Sequence, residues 1–133
     1  MKYFLDTNII IYALKGLYPS IEEHFASVPS QSIVIPSIVI AEIEYGARKS
    51  KNYSSTITKY NKFTDVFEKI PFSNKAAEYY GVIRSKLEKK GKIIGPNDLI
   101  IASIVFSENG ILVTHNTKEF AHIEGLNIED WTK

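Results

Sequence analysis

An apolar segment at residues 95–106 constrains the fold more than any other stretch of this chain. Gly95 and Pro96 favour a helix start, because proline fits the first helical position, where its missing N–H would be unpaired anyway. The residues that follow are apolar almost all the way round the helix, which predicts a helix buried at the centre of a domain. Asp98 lies in the first turn, where an acidic side chain caps the helix or complements its dipole.

The composition is that of an ordinary globular protein and excludes several classes of function. The chain has 133 residues, 44% of them hydrophobic, which predicts one domain spanning residues 1–133. The net charge is +1, so any nucleic-acid binding must be local. The absence of cysteine excludes disulfides and thiolate metal sites, and no apolar run approaches the ~20 residues that span a membrane. We therefore expect a cytoplasmic protein without membrane contact.

Apolar runs and turn residues divide the chain into alternating strands and helices. Strands are predicted at 3–5, 32–35, 68–72, 111–114 and 126–128. Helices are predicted at 9–14, 19–28, 38–47, 53–67, 74–90 and 96–108. Strands separated by one or two helices indicate an α/β fold with a mainly parallel sheet and helices on both faces.

The third predicted helix, residues 38–47, has an expected capping residue and an expected apolar face. Ser37 is expected to cap this helix, as Ser73 is expected to cap the long helix later in the chain. The apolar residues Ile38, Ala41 and Tyr45 share one stripe, and Glu42 lies one position round from Ala41.

Acidic and amide side chains are predicted to converge at one edge of the sheet. Asp6 ends the first strand, and Glu42 lies on the helix that leaves the second. The helix that begins at Pro96 must run antiparallel to the strand after it, so Asp98 lies near that strand's carboxyl end. Asn116 and Glu119 emerge at the same place. In parallel sheets chemistry collects at this edge.

Carboxylates brought this close repel one another unless a cation or shared protons compensate. Oxygen ligands suit a hard ion such as Mg²⁺ or Mn²⁺, which takes one or two carboxylates together with waters and phosphate oxygens. Such an ion can activate water for attack on phosphorus. We therefore expect functional roles for Asp6 and Asp98, and for Glu42, although a glutamate on a helix face is more often simply solvated.

Four segments together resemble the motifs of PIN-domain ribonucleases, and among these the VapC toxins of VapBC toxin–antitoxin systems. They are FLDTN at 4–8, AEIEYG at 41–46, GPNDLIIA at 95–102 and LVTHNTKEF at 112–120. The closing GLNIEDW at 125–131 is also similar to the end of those toxins. The likeness runs through the whole chain in order.

This resemblance implies a three-layer sandwich with a five-stranded parallel sheet in the order 3-2-1-4-5. It implies a Mg²⁺- or Mn²⁺-dependent endoribonuclease that cleaves structured RNA, with transfer RNA the expected class, and thereby inhibits translation and growth. The implied partners are a second copy of the chain and a VapB-like antitoxin that lays a peptide across the active-site groove. DNA would be contacted only indirectly, through the antitoxin in a larger assembly.

Site residues follow from the same resemblance, position by position. Asp6 and Asp98 match the metal-binding aspartates, and Glu42 matches the glutamate that supports the metal site. Many PIN domains have an aspartate where this chain has Asn116, so Glu119 is the acidic candidate to replace it. This departure leaves the number of metal ions, one or two, open.

Other residues near these motifs have weaker assignments. Thr114 and Asn8 are candidates to hold carboxylates or metal-bound waters by hydrogen bonds. His115 could contact phosphate, whereas Glu44 is expected to be solvated. Two basic runs, one of them Arg48, Lys49 and Lys51, could touch an RNA backbone, and Tyr12, Tyr45 and Tyr53 could stack on bases, although core or dimer packing is the simpler use.

A second class of function is also compatible with the sequence. A degenerate PIN domain would bind RNA or a protein without cutting, and Asn116 is the one feature that favours it. Haloacid-dehalogenase phosphatases need an aspartate where Asn8 stands, and a response-regulator receiver needs one at the end of the third strand, where this chain has Ile70 and Pro71. These enzyme classes therefore fit less well.

Overall fold

A five-stranded, entirely parallel sheet forms the centre of the computed structural model, which describes all residues, Met1–Lys133. The strand order is β3-β2-β1-β4-β5, as the resemblance implied. The strands are β1 (Tyr3–Leu5), β2 (Ile33–Pro36), β3 (Glu68–Ile70), β4 (Ile111–Val113) and β5 (Asn127–Glu129). Four of the five strands have only three residues, so the sheet is short in the direction of its strands. The carboxyl ends of the strands therefore lie close to the buried core.

Helices cover the sheet in a three-layer arrangement, which confirms the predicted fold class. They are α1 (Thr7–Lys15), α2 (Pro19–Ser27), α3 (Ser37–Lys49), α4 (Tyr53–Thr64), α5 (Asn74–Lys89), α6 (Pro96–Ser107) and α7 (Thr117–Phe120). A short 3₁₀ turn, Ser30–Ser32, leads into β2. None of these helices combines the length and the apolar composition that a membrane span requires.

The central strand β1 is the structural axis of the molecule. It pairs with β2 on one side and with β4 on the other, so that Phe4 lies beside Val34 and Leu112. Phe4 and Leu5 are completely buried, within one cluster of 27 buried apolar residues. Any side chain placed at the end of β1 is therefore held by the best-packed part of the fold.

Helix α6 is buried on nearly every side, as its sequence predicts. It packs against α5, α3, β2 and β4, and its buried residues include Leu99, Ile101 and Ile104. The two buried hydroxyls, of Ser103 and Ser107, donate to carbonyl oxygens within the helix, so no polar atom is left without a partner. The helix is thus a rigid support for the residues of its first turn.

The face of α3 that packs into the core differs from the predicted apolar stripe, so the helix is rotated about its axis relative to the prediction. The buried face consists of Val39, Ile43 and Ala47, whereas Ala41 and Tyr45 are exposed. Residues 38–40 are all apolar, so helical spacing alone fits more than one stripe, and packing against the sheet selects the one that begins at Val39.

Helix caps and ends show further differences. Ser37 is the first helical residue of α3 and makes no capping hydrogen bond, so its predicted capping role is wrong. Ser73 does cap α5 by accepting a hydrogen bond from the Ala76 N–H at 3.1 Å. The short helix α7 was not predicted, because four residues carry too little periodicity to detect. Helix α4 ends at Thr64, before the predicted end at Phe67.

Gly110 is required where the chain enters β4. An added Cβ would lie 2.7 Å from the Phe4 Cδ1 and 3.0 Å from the Lys2 carbonyl oxygen. We expect Gly110→Ala to lower the free energy of unfolding by about 1–3 kcal/mol, since the buried Phe4 ring cannot move away without strain. Urea denaturation with a far-UV circular dichroism readout measures this change.

Gly81→Ala on α5 is the matched control. Gly81 is exposed and has nothing within 4 Å of an added Cβ. This substitution should raise the free energy of unfolding by about 0.5–1 kcal/mol, because alanine restricts the unfolded chain and favours the helix. Equal stability of the Gly110→Ala variant and the wild type would contradict the close packing of β1 against β4.

Candidate active site

Asp6 is fixed at the carboxyl end of β1 by its backbone and by its side chain. Its N–H donates to the Val113 carbonyl oxygen at 3.2 Å and so extends the pairing of β1 with β4. Its carboxylate accepts a hydrogen bond from the Ile9 N–H at 3.0 Å and caps α1. This capping role was not predicted, although an aspartate before an apolar helical run is a recognisable signal for it.

The surroundings of Asp6 favour its protonated form. Burial raises the pKa of Asp6 to about 6 from an ordinary value of 3.8. Hydrogen bonds from Thr114 and from the Ile9 N–H act in the opposite direction, and the charge of Glu42 adds to the rise. Thr114, which was predicted to hold a carboxylate or a metal-bound water, therefore lies close enough to the Asp6 carboxyl to lower its pKa.

Asp98 meets Asp6 from the first turn of α6. It makes no capping hydrogen bond, and the cap position is Gly95, so the predicted capping role of Asp98 is wrong. Burial raises the pKa of Asp98 to about 7, and the charge of Glu119 and a hydrogen bond shared with it are the next causes. The charges of Asp6 and Glu42 contribute as well. The predicted convergence of carboxylates on this edge is confirmed.

Glu119 and Asn116 reach the site together from α7 and the turn before it. One carboxylate oxygen of Glu119 accepts from the Gly95 N–H at 3.2 Å, and the other accepts from the Asn116 Nδ2 at 2.8 Å. The Asn116 N–H in turn donates to the Thr114 hydroxyl at 3.0 Å. Asn116 thus contacts the Glu119 carboxylate that lies beside Asp98, so the two candidates for one position are bonded to each other.

Glu42 is held at the rim by two side chains that sequence reasoning missed. The Thr7 hydroxyl donates to its Oε1, and the Asn97 Nδ2 donates to its Oε2 at 3.4 Å. Each donor is next in sequence to a predicted site aspartate, Thr7 after Asp6 and Asn97 before Asp98. Their position directly beside these aspartates was the signal in the sequence that could have identified both donors. Asn8, the other residue expected to hold a carboxylate or a metal-bound water, is exposed and makes no hydrogen bond to a carboxylate of the site.

No cationic side chain neutralises this cluster. The ion pairs of the chain are Lys2–Glu68, Arg84–Glu88 and His115–Asp130, and none includes a site carboxylate. No three Asp, Glu or His side chains are arranged to ligate one ion by themselves. Mg²⁺ needs only one or two carboxylates besides water and phosphate oxygens. The all-oxygen donor set and the uncompensated charge therefore fit a hard divalent cation held by Asp6 and Asp98.

His115 lies beside the cluster with its orientation fixed. Its Nδ1 is 3.1 Å from the Asp130 carboxylate and 3.0 Å from the Thr132 hydroxyl. Burial alone would raise the pKa of Asp130, but hydrogen bonds from Thr132 and His115 outweigh it and bring that pKa below its ordinary value. Asp130 therefore stays ionised and anchors the ring.

Glu44 is not simply solvated, as its helical position had suggested. Its carboxylate is half-buried and accepts a hydrogen bond from the Tyr53 hydroxyl at 2.8 Å. This contact links α3 to α4. Glu44 stays apart from the site because it lies two residues from Glu42 and therefore on another face of the helix.

Comparison with known proteins places this arrangement in a family. A model of the PIN domain matches residues 3–126. Ribonuclease VapC2 of Rickettsia felis is 44% identical over 137 aligned positions, covering 100% of both chains. The tRNA(fMet)-specific endonuclease VapC of Shigella flexneri is 34% identical and covers 99% of each chain.

Solved structures agree with these sequence matches. VapBC2 from Rickettsia felis bound to a promoter DNA fragment contains a chain that is 45% identical, with a TM-score of 0.89. It covers 98% of this chain and 99% of that one. VapBC-1 from nontypeable Haemophilus influenzae contains a chain with a TM-score of 0.92 at 39% identity, covering 100% of both.

The raised pKa values predict that the carboxylate cluster destabilises the metal-free fold. A folded-state pKa near 7 for Asp98, against 3.8 when unfolded, means that stability falls as pH rises from about 4 through about 7. In EDTA at about pH 8, Asp98→Asn should therefore unfold at higher urea than the wild type. We expect a gain of about 1–2 kcal/mol, which allows for the solvent that reaches half-buried Asp98.

The pH dependence separates this effect from a general change in packing. At about pH 4 the Asp98 carboxyl is protonated in the folded wild type, so the gain should disappear there. Asp65→Asn, an exposed change at the end of α4, serves as the control and should change stability little at either pH. Destabilisation by Asp98→Asn at about pH 8 would contradict the electrostatic account.

Proposed function

The chain belongs to the PIN-domain family and, within it, to the VapC ribonucleases, and from this premise we propose that it is a metal-dependent endoribonuclease. The observation that carries the proposal is the meeting of Asp6, Glu42, Asp98 and Glu119 at one rim with no cationic partner. A cluster of this kind is costly to maintain for structure alone, because burial and mutual repulsion oppose its charges.

Asp6 and Asp98 are the residues that would hold the ion. When bound, Mg²⁺ or Mn²⁺ would supply electrostatic stabilisation of the phosphate oxygens and lower the pKa of water for hydrolysis of a phosphodiester bond. The chain's contribution is rigidity. The Ile9 N–H holds the Asp6 carboxylate, pairing with Val113 holds the Asp6 backbone, and the buried helix α6 fixes Asp98. Such fixed positions reduce the cost of orienting the reactants.

Glu42 and Glu119 flank the two aspartates and are held by neutral donors. Thr7 and Asn97 bond to Glu42, and Asn116 bonds to Glu119. Neutral donors orient a carboxylate without neutralising it, so both glutamates keep negative charge available to the ion or to water bonded to it. We propose that they support the metal site and that Asn116 acts through Glu119.

The relatives suggest the substrate and partners. The Shigella flexneri relative is a tRNA(fMet)-specific endonuclease, so we propose transfer RNA as the substrate class and inhibition of translation and growth as the consequence. The solved relatives are VapBC complexes, some of them bound to DNA, so we propose a VapB-like antitoxin as the partner. We also propose that the chain forms a homodimer and that DNA is contacted through the antitoxin.

Removal of either central aspartate should abolish cleavage. We expect Asp6→Asn and Asp98→Asn each to reduce cleavage of total transfer RNA in Mn²⁺ by at least about a hundredfold, because each loses a charged ligand of the ion. Cleavage is measured by gel electrophoresis with mapping of the new RNA ends. Circular dichroism should show that both variants stay folded.

Metal removal separates catalysis from mere binding. EDTA should stop cleavage by the wild type, and excess Mn²⁺ should restore it, whereas Asp65→Asn should behave as the wild type throughout. Wild-type rates for either aspartate variant would overturn the assignment. RNA binding without cleavage in any divalent metal would instead favour a PIN domain that only binds.

Asn116 and Glu119 should act as a unit. We expect Glu119→Gln and Asn116→Ala each to slow cleavage at least about tenfold, since each disturbs the carboxylate beside Asp98. If Asn116 acts through Glu119, the double variant should be no slower than Glu119→Gln alone. Fully additive losses would show that Asn116 has a separate role, and unchanged rates would exclude both residues.

A further inference from the structure

A groove leads away from the candidate active site along one face of α3. Glu42, Tyr45, Gly46 and Lys49 line it from α3, and Thr7 and Asn97 line it on the side of the site. We call it the α3 groove. Since Thr7 and Asn97 are the residues that hold Glu42 by hydrogen bonds, the groove opens directly onto the carboxylate cluster.

The residues of α3 in this groove form one helical stripe. Glu42, Tyr45, Gly46 and Lys49 are spaced three, four and seven residues from the first, which places them on the same face. Lys49 lies two turns beyond Glu42, roughly 10 Å along the helix axis. The stripe thus passes from an acidic end at the site, across an aromatic ring, to a cationic end.

Tyr45 is an exposed aromatic side chain in the middle of this stripe. It is 65% exposed and belongs neither to the buried core nor to the hydrophobic residues packed against it. The Lys49 Nζ lies 4.7 Å from the centre of its ring, in the range of a cation–π contact. Beside the ring, Gly46 has nothing within 4 Å of the position of a Cβ, so the groove is open there.

The far end of the groove carries the charge of Lys49, whereas Glu44 and Arg48 lie outside the groove, around Tyr53. Glu44 accepts the Tyr53 hydroxyl, and the Arg48 guanidinium lies 3.7 Å from the centre of the Tyr53 ring. Neither Arg48 nor Lys49 forms an ion pair with a carboxylate. The Lys49 charge, which lies in the groove, therefore remains available to an anionic ligand.

We propose that the α3 groove binds an unpaired nucleotide next to the scissile phosphate, an inference that rests on the proposed ribonuclease function. The base stacks on Tyr45, and the adjoining phosphate contacts Lys49. Unpaired bases present a free aromatic face, and their stacking on tyrosine is a common basis of single-strand RNA binding. A repulsive acidic site also needs an attractive anchor close by to hold a polyanion.

Binding of a fluorescein-labelled unpaired oligouridine, followed by fluorescence anisotropy in EDTA, tests the groove without cleavage. Tyr45→Ala should weaken binding roughly tenfold or more, and Tyr45→Phe should retain most of it because the ring still stacks. Lys49→Gln should reduce the slope of the logarithm of the binding constant against the logarithm of the salt concentration by the equivalent of about one phosphate contact. The same labelled strand in a duplex should bind with little dependence on Tyr45.

Matched controls remove similar groups elsewhere. Phe72→Ala removes an exposed aromatic ring, and Lys75→Gln removes an exposed lysine, both outside the groove. Neither control should change binding. Cleavage of total transfer RNA by the Tyr45→Ala variant should show a raised KM with kcat largely retained, since the cluster itself is untouched.

The outcomes distinguish this proposal from the one it rests on. Unchanged oligouridine binding by Tyr45→Ala overturns the groove as a nucleotide site, even where the wild type cleaves RNA in Mn²⁺. A wild type whose oligouridine binding depends on Tyr45 but which cleaves no RNA overturns the proposed function. The groove then still stands as a nucleotide-binding site. A shift of Tyr45→Ala to a smaller species in gel filtration identifies the groove as a protein interface and also overturns the proposal.

Discussion

Repulsion among four carboxylates at the end of a buried sheet is the constraint on which the rest of the structure depends. Asp6 and Asp98 have raised pKa values because they are buried and because Glu42 and Glu119 lie close by. Such an arrangement persists only where the scaffold supplies the stability. Here Phe4 and Leu5 of β1 are completely buried in a strand that lies between two others, and α6 is enclosed by helices and sheet. The same rigidity that sustains the repulsion fixes the positions of the charged oxygens.

Much of the fold could be predicted, because its strongest signals are local. The apolar residues of α6 and the short runs of β1 and β4 are each bounded by clear turn residues, and alternating strands and helices indicate a parallel sheet. The rotation of α3 could not be predicted. With residues 38–40 all apolar, only packing against the sheet decides that Val39 points inwards and Tyr45 outwards. That difference matters here, because the outward Tyr45 lines the groove beside the site.

The candidate site was predictable to the level of its carboxylates and no further. The parallel arrangement brings Asp6 and Asp98 to one edge without any knowledge of side-chain conformation. The bonds of Thr7 and Asn97 to Glu42, by contrast, depend on how separate elements pack in three dimensions. The absence of a capping bond from Asp98 has the same origin, since Glu119, which comes from a separate element, accepts the Gly95 N–H at the start of α6.

The proposed activity requires that this carboxylate cluster hold a divalent cation. Isothermal titration calorimetry of the protein with Mn²⁺ tests that requirement most directly, because it needs no knowledge of the RNA substrate. The wild type should bind Mn²⁺, and Asp98→Asn should weaken the affinity by at least roughly tenfold, whereas Asp65→Asn should not change it. Equal Mn²⁺ affinity of the wild type and the Asp98→Asn variant would contradict the account.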